Sequence, residues 1–201
     1  DELEGAPGRI RAFRDPAWLR DPADGREHLL IAASVPSADP DGYAGAVALA
    51  TRDGAGAWTL RPPLLRADGV THELERPHVV VHDGRYHLFV SAHAHTFTPP
   101  VRAPTGLYGF VAPRLRGPYV PLNGSGLVVA NPPQQPTQAY AWLVLGDLRV
   151  VSFVDYLGPP GRDPRTAPAE EARAAFGGTA APELRLALDG MTATILGDGG
   201  R

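Results

Sequence analysis

The feature that most constrains this chain is a recurring pair of short apolar runs joined by a tight polar turn. His78-Val79-Val80-Val81-His82 and Arg85-Tyr86-His87-Leu88-Phe89-Val90 flank Asp83-Gly84. That dipeptide suits a type I′ turn, in which both central residues take positive φ. The pattern returns with 141–145 and 148–154 around Gly146-Asp147, and with 183–188 and 191–196 around Asp189-Gly190. A looser pair, 44–51 and 56–61, is joined by Arg52-Asp53-Gly54-Ala55. With the runs 28–35, 107–112 and 126–130 this predicts about eleven strands. One helix is expected over 167–176, where Pro168 fits a first turn beside Glu170 and Glu171. The flanking residues 158–163 and Gly177-Gly178 read as loops, so 158–178 is expected to be a short helix and loop insertion. Consecutive antiparallel hairpins make the chain all-β and leave a sandwich, a barrel or a propeller. Propeller blades have about four strands and rings about four to eight blades, so eleven strands would supply about three blades of an incomplete ring.

Composition narrows the function classes. Of 201 residues, 43% are hydrophobic and 20% charged, which suffices for a buried core in one domain, or at most two small ones, over 1–201. A net charge of −3 gives no reason to expect nucleic acid or an anionic membrane as partner. The absence of cysteine excludes disulfides, a Cys-ligated zinc site and a cysteine nucleophile. No apolar run approaches the roughly 18 residues of a membrane-spanning helix. The sequence opens on Asp1-Glu2-Leu3 rather than on Met, which agrees with the expectation of a fragment.

Three segments carry chemistry. Phe13-Arg14-Asp15-Pro16 sets a carboxylate beside a guanidinium just before a helix-blocking proline. Glu73-Leu74-Glu75-Arg76-Pro77 places two carboxylates at i and i+2, on one side of an extended chain. Ser91-Ala92-His93-Ala94-His95 ends a strand with alternating histidines. Taken singly, the first reads as a turn and the second as a solvated strand edge. The histidines offer two metal ligands with no third at recognisable spacing, so no metal is expected there.

Taken in order, these segments and others resemble glycoside hydrolase family 68, the levansucrases, inulosucrases and β-fructofuranosidases. The matching series is Phe-Arg-Asp-Pro at 13–16, Glu-Arg-Pro-His at 75–78 and Asp-Gly-Arg-Tyr-His-Leu-Phe at 83–89. It continues with 106–111, 121–127, Gln138-Ala139-Tyr140, Ser152-Phe153-Val154-Asp155 and 178–182. The resemblance implies a five-bladed β-propeller with an axial active site acting on sucrose, with fructan or water as acceptor, and secretion from the cell. It implies Glu75 as general acid/base and Asp15 as transition-state stabiliser. Arg14, Glu73, Arg76, His93 and Tyr140 match positions lining the sugar subsite. No cofactor is implied; some relatives hold calcium, but no ligand cluster in the sequence argues for it.

Cleaving the fructosyl bond needs a proton on the leaving oxygen and support for an oxocarbenium-like centre. Glu75 must therefore be protonated in one half-reaction and ionised in the other, while Asp15 stays ionised beside Arg14. Glu73 is expected to favour the protonated form of Glu75 and Arg76 to oppose it. The family's nucleophile is an aspartate after tryptophan, upstream of Arg-Asp-Pro. None of Trp18, Trp58 and Trp142 is followed by aspartate. The expectation is that the nucleophile lies in a missing N-terminal half and that these residues alone are inactive. Two alternatives stay open: a non-catalytic carbohydrate-binding β-domain, and a propeller glycosidase acting on another furanoside.

Overall fold

In the computed structural model, which describes residues 12–36, 42–159, 162 and 164–197, the apolar runs become strands of three antiparallel sheets. The first contains β1 (Phe13–Arg20), β2 (Glu27–Ser34), β3 (Gly45–Arg52) and β4 (Trp58–Arg66), paired in that order. The second runs β5 (Glu75–His82), β6 (Arg85–Ala92), β7 (Gly106–Ala112) and β8 (Val120–Pro121), with β9 (Leu127–Ala130) also on β7. The third begins with β10 (Ala139–Val144) and β11 (Arg149–Tyr156). After helix α1 (Ala169–Ala175), β12 (Phe176–Ala180) pairs with β11, and β13 (Leu184–Asp189) and β14 (Thr192–Leu196) complete the sheet. These are three blades of a propeller. Their first strands pack in sequence, β1 beside β5 and β5 beside β10.

The described residues hold more strands than the expected eleven, because β1, β8 and β12 were not legible as strands. β1 contains Pro16 and only scattered apolar residues, and Gly177-Gly178 in β12 reads as loop. Pairing to a neighbour overrides weak local propensity in each case. Phe153 meets Ala180, for example, and Phe13 meets Ala33. The helix falls inside its expected range and buries no residue. Of the expected 158–178 insertion, residues 160, 161 and 163 lie outside the described residues, as does the start of the chain, 1–11.

The turns show which dipeptides were decisive. Asp83 and Gly84 have φ of 48° and 69° between paired His82 and Arg85, the expected type I′ geometry. The Gly146-Asp147 turn instead has a third residue, Leu148, at φ 66°. The last hairpin turns one position later than expected. Asp189 pairs with Thr192, leaving Gly190 (φ 57°) first in a Gly-Met loop, where a type II′ turn needs glycine.

The middle blade is covered on both faces, so its strand β6 is buried almost throughout. Leu88, Val90 and Ala92 pack with Leu30 and Val47 of the first blade. Phe89, from the opposite face of β6, packs with Trp142, Val144 and Val150 of the third. Outer strand β4 is largely exposed, as a blade rim should be.

Each first strand carries a register shift around a non-glycine residue at positive φ: Asp15 (53°), Arg76 (48°) and Ala141 (58°). Proline follows the first two, at positions where a bulge spares the ladder a missing donor. His78 secures the second bulge. Its Nδ1 lies 3.0 Å from the Arg76 carbonyl, and its Nε2 accepts the Val144 N–H of β10 at 2.9 Å. That arrangement requires the neutral ring, and burial lowers the His78 pKa to about 4.

Burial likewise lowers His28, His72, His87 and His93 from the ordinary histidine value. The unfolded chain therefore binds more protons than the folded one below about pH 6.5. Stability is expected to be full above that pH and to fall as pH drops toward about 4, with His78 alone contributing on the order of 3 kcal/mol. Urea unfolding at pH 7, 5.5 and 4 measures the slope, which His78→Gln should flatten.

Candidate active site

The bulges sort side chains into two sets. A bulge residue at positive φ interrupts the side-to-side alternation of the strand and re-aims its side chain. Arg14, Glu75 and Tyr140, each just before a bulge, converge on one another, while Asp15, Arg76 and Ala141, each one residue later, line a separate cavity of about 230 Å³.

Arg14 Nη2 donates to Glu73 Oε1 at 2.6 Å and to Glu75 Oε1 at 2.8 Å, joining the first blade to the second. The Tyr140 hydroxyl, from the third blade, donates to Glu75 Oε2. Both oxygens of Glu75 are thus held by other blades. His93 stacks on the Tyr140 ring at 3.6 Å between centroids and 12° between planes, and His95 stacks on His93 at 5.1 Å. Glu73, Glu75, His93, His95, Asp155 and Arg165 border a cavity of about 400 Å³ beside this cluster.

The acidic segment is fixed from behind. The Thr71 hydroxyl lies 2.9 Å from the Thr96 carbonyl and 3.0 Å from its hydroxyl, and the Thr96 hydroxyl donates to the His93 carbonyl at 2.9 Å. Gly45 approaches so closely that a Cβ there would meet the Glu73 nitrogen at 2.9 Å. Glu73 and His93 are therefore positioned by one buried threonine pair and one glycine contact.

The electrostatics follow from burial and these partners. Desolvation disfavours the Arg14 cation, but hydrogen bonds and charge from Glu75 and Glu73 outweigh it and raise its pKa. Burial, then the Glu75 charge, pushes the Tyr140 phenol far up, so it remains a donor. Burial, with His95 and Arg165 adding to it, lowers His93 to about 4. The ring is neutral at pH 7 and stacks rather than supplying charge. Burial also raises the Asp155 carboxyl.

The sequence-predicted residues are thus distributed unevenly. Arg14, Glu73, Glu75, His93 and Tyr140 form one connected cluster. Asp15 and Arg76 border the 230 Å³ cavity instead, and Asp15 Oδ2 lies 4.0 Å from Arg14 Nε. The cation hydrogen-bonded to Glu75 is Arg14, where Arg76 was expected to be the opposing charge. His93 and His95 join no three-ligand cluster among the described residues. Asp155 and Arg165 were not singled out as site residues, because nothing in their spacing links them to the acidic segment.

The levansucrase/invertase model of glycoside hydrolase family 68 matches residues 42–197. The chain belongs to this family. It is 38% identical to the levansucrase of Erwinia amylovora over 208 aligned residues, covering 92% of this chain and 48% of that protein. The inulosucrase from Halalkalicoccus jeotgali bound to kestose superposes with a TM-score of 0.87 at 43% identity, over 96% of this chain and 52% of that one. The catalytic domain of the Microbacterium saccharophilum K-1 β-fructofuranosidase gives 0.77 at 25% identity, over 100% and 51%. The chain spans about half the length of the family 68 relatives it matches.

In this family 68 chain, Arg14 is the cation shared by two neighbouring carboxylates. Arg14→Gln is expected to cost about 2 kcal/mol in urea unfolding, the usual scale for lost charge-assisted hydrogen bonds. Adding Glu73→Gln should recover part of it, making the double variant less destabilised than the sum. Additive losses would show that the guanidinium and Glu73 are not coupled.

Proposed function

We propose that the chain is part of a retaining, sucrose-cleaving enzyme that passes the fructosyl group to a fructan or to water. The observation that carries this reading is Glu75, gripped by Arg14 and Tyr140 on the wall of the 400 Å³ cavity. A general acid/base must be fixed within reach of the leaving oxygen, and contacts from two other blades do that. Glu75 then protonates the glucosyl oxygen and later takes a proton from the acceptor. Glu73 shares the Arg14 guanidinium with Glu75, so one cation fixes both carboxylates at the cavity wall. Tyr140 donates to the carboxylate form, and its stack with His93 offers an apolar wall for a sugar face.

Asp15, 4.0 Å from Arg14, is proposed to bind fructosyl hydroxyls more tightly as charge develops on the ring. Arg76, on the same cavity, orients that end of the sugar. The nucleophile, needed about 5 to 5.5 Å from the acid/base, is proposed to come from sequence outside these 201 residues, which alone would not turn over sucrose. Extracellular action belongs to the same proposal.

Glucose release from sucrose by the full-length protein tests the reading. Glu75→Gln is expected to lower kcat about 10²- to 10⁴-fold, the range of a lost general acid/base. On a fructosyl donor whose leaving group needs no proton, the loss in kcat/KM, which reports the first step, should be much smaller, while the second step stays slow. Asp15→Asn should reduce turnover on both donors. Sucrose binding without glucose release by the full-length protein would instead establish a carbohydrate-binding domain.

A further inference from the structure

At the far end of the first blade, the turn from β1 to β2 carries a second cluster of ligand-type side chains. It lies six residues beyond Asp15, on the order of 20 Å along the strand. One donor atom from each of Asp21, Asp24 and His28 lies within 4.8 Å of the others, beside a cavity of about 450 Å³.

His28 is what separates this cluster from an ordinary acidic turn. The residue is 5% exposed, and Nε2 has no hydrogen-bond partner. Nδ1 lies 3.0 Å from the buried Thr51 hydroxyl. With Nδ1–H donating to Thr51, Nε2 presents a lone pair, the arrangement by which an outer partner orients a metal-binding imidazole. Burying such an atom without a partner costs free energy, and a bound cation would remove that cost.

We propose that Asp21, Asp24 and His28 bind a divalent transition metal ion of the zinc type. One imidazole nitrogen and two carboxylate oxygens suit such an ion, with water completing a tetrahedron. Donors around zinc stand about 3.4 Å apart, so the cluster must close by a little over 1 Å. Asp24, exposed on the turn, can supply most of that movement. Asp21 is already fixed, since Oδ1 accepts the Ala23 N–H at 2.9 Å and the Tyr86 hydroxyl of the second blade. The ion would therefore clip the β1–β2 turn to the boundary between blades one and two, a structural role remote from Glu75.

Arginines 26, 61, 114 and 116 also line the cavity and suggest a small anion as the competing occupant. Two of them are engaged locally. Arg26 donates its backbone N–H to Asp24 Oδ1 at 2.9 Å and holds Nε 3.7 Å from Oδ2, and Arg114 Nε donates to the Gly117 carbonyl at 3.0 Å. Two carboxylates and an unprotonated imidazole disfavour an anion at the cluster itself.

The test is titration of chelator-treated, tag-free full-length protein with zinc chloride, read by calorimetry and by Tm. One equivalent should bind and raise Tm. Asp24→Asn and His28→Gln should each weaken binding at least tenfold, and Thr51→Val about tenfold through ring orientation. Cobalt(II) should give visible d–d bands that Asp24→Asn removes. Asp24 is exposed, so that variant stays informative even if His28→Gln fails to fold. Absence of zinc binding, binding unchanged in Asp24→Asn, or a His28-dependent Tm rise with phosphate but not zinc would each overturn the proposal.

Discussion

The Arg14 guanidinium is the contact on which the candidate site depends. It sits on the first strand of one blade and holds two carboxylates on the next, while Tyr140 reaches the same Glu75 from the third. Blades pack mainly through apolar side chains, which set distance but not the direction of a polar group. The charge-assisted bonds set direction, because a carboxylate gripped at both oxygens has little rotational freedom left. They also explain why Glu73 and Glu75 can share a half-buried region. Two carboxylates so close would otherwise repel one another.

The three bulges determine which side chains meet there. A regular strand would send alternate residues to opposite faces along its whole length, and a single inserted residue at positive φ resets that alternation locally. The same device in β1, β5 and β10 brings Arg14, Glu75 and Tyr140 together and puts Asp15, Arg76 and Ala141 around a neighbouring cavity. Three non-glycine residues held at positive φ cost free energy, and such strain persists only where surrounding contacts enforce it. His78, spanning from the Arg76 carbonyl to the Val144 amide, is one such contact. The two ends of the first blade then differ in kind. The inner end is fixed by ion pairs to the next blade, and the outer turn by Asp21 on Tyr86 beside an imidazole nitrogen with no partner.

Much of the fold was legible in the residues. Apolar runs around Asp83-Gly84 and Asp189-Gly190 named real hairpins, because tight turns with positive φ restrict residue choice strongly. β1 and β12 were not legible, since neither has the apolar pattern of a strand and each forms by pairing to a stronger neighbour. Five of the proposed site residues proved to be one connected cluster. The side on which Asp15 and Arg76 emerge, and the presence of Asp155 and Arg165 at the larger cavity, had no local signature.

The amino-acid order alone determined an all-β chain of consecutive hairpins and the carboxylates, guanidinium and imidazole available to a site. Periodicity and turn chemistry are local, and they survive in any window of a few residues. Which guanidinium meets Glu75, which residues share a cavity and which histidine nitrogen is buried without a partner were decided only by tertiary structure. Those relations join residues about sixty positions apart through packed blades and bulges, and short-range pattern carries no information about them.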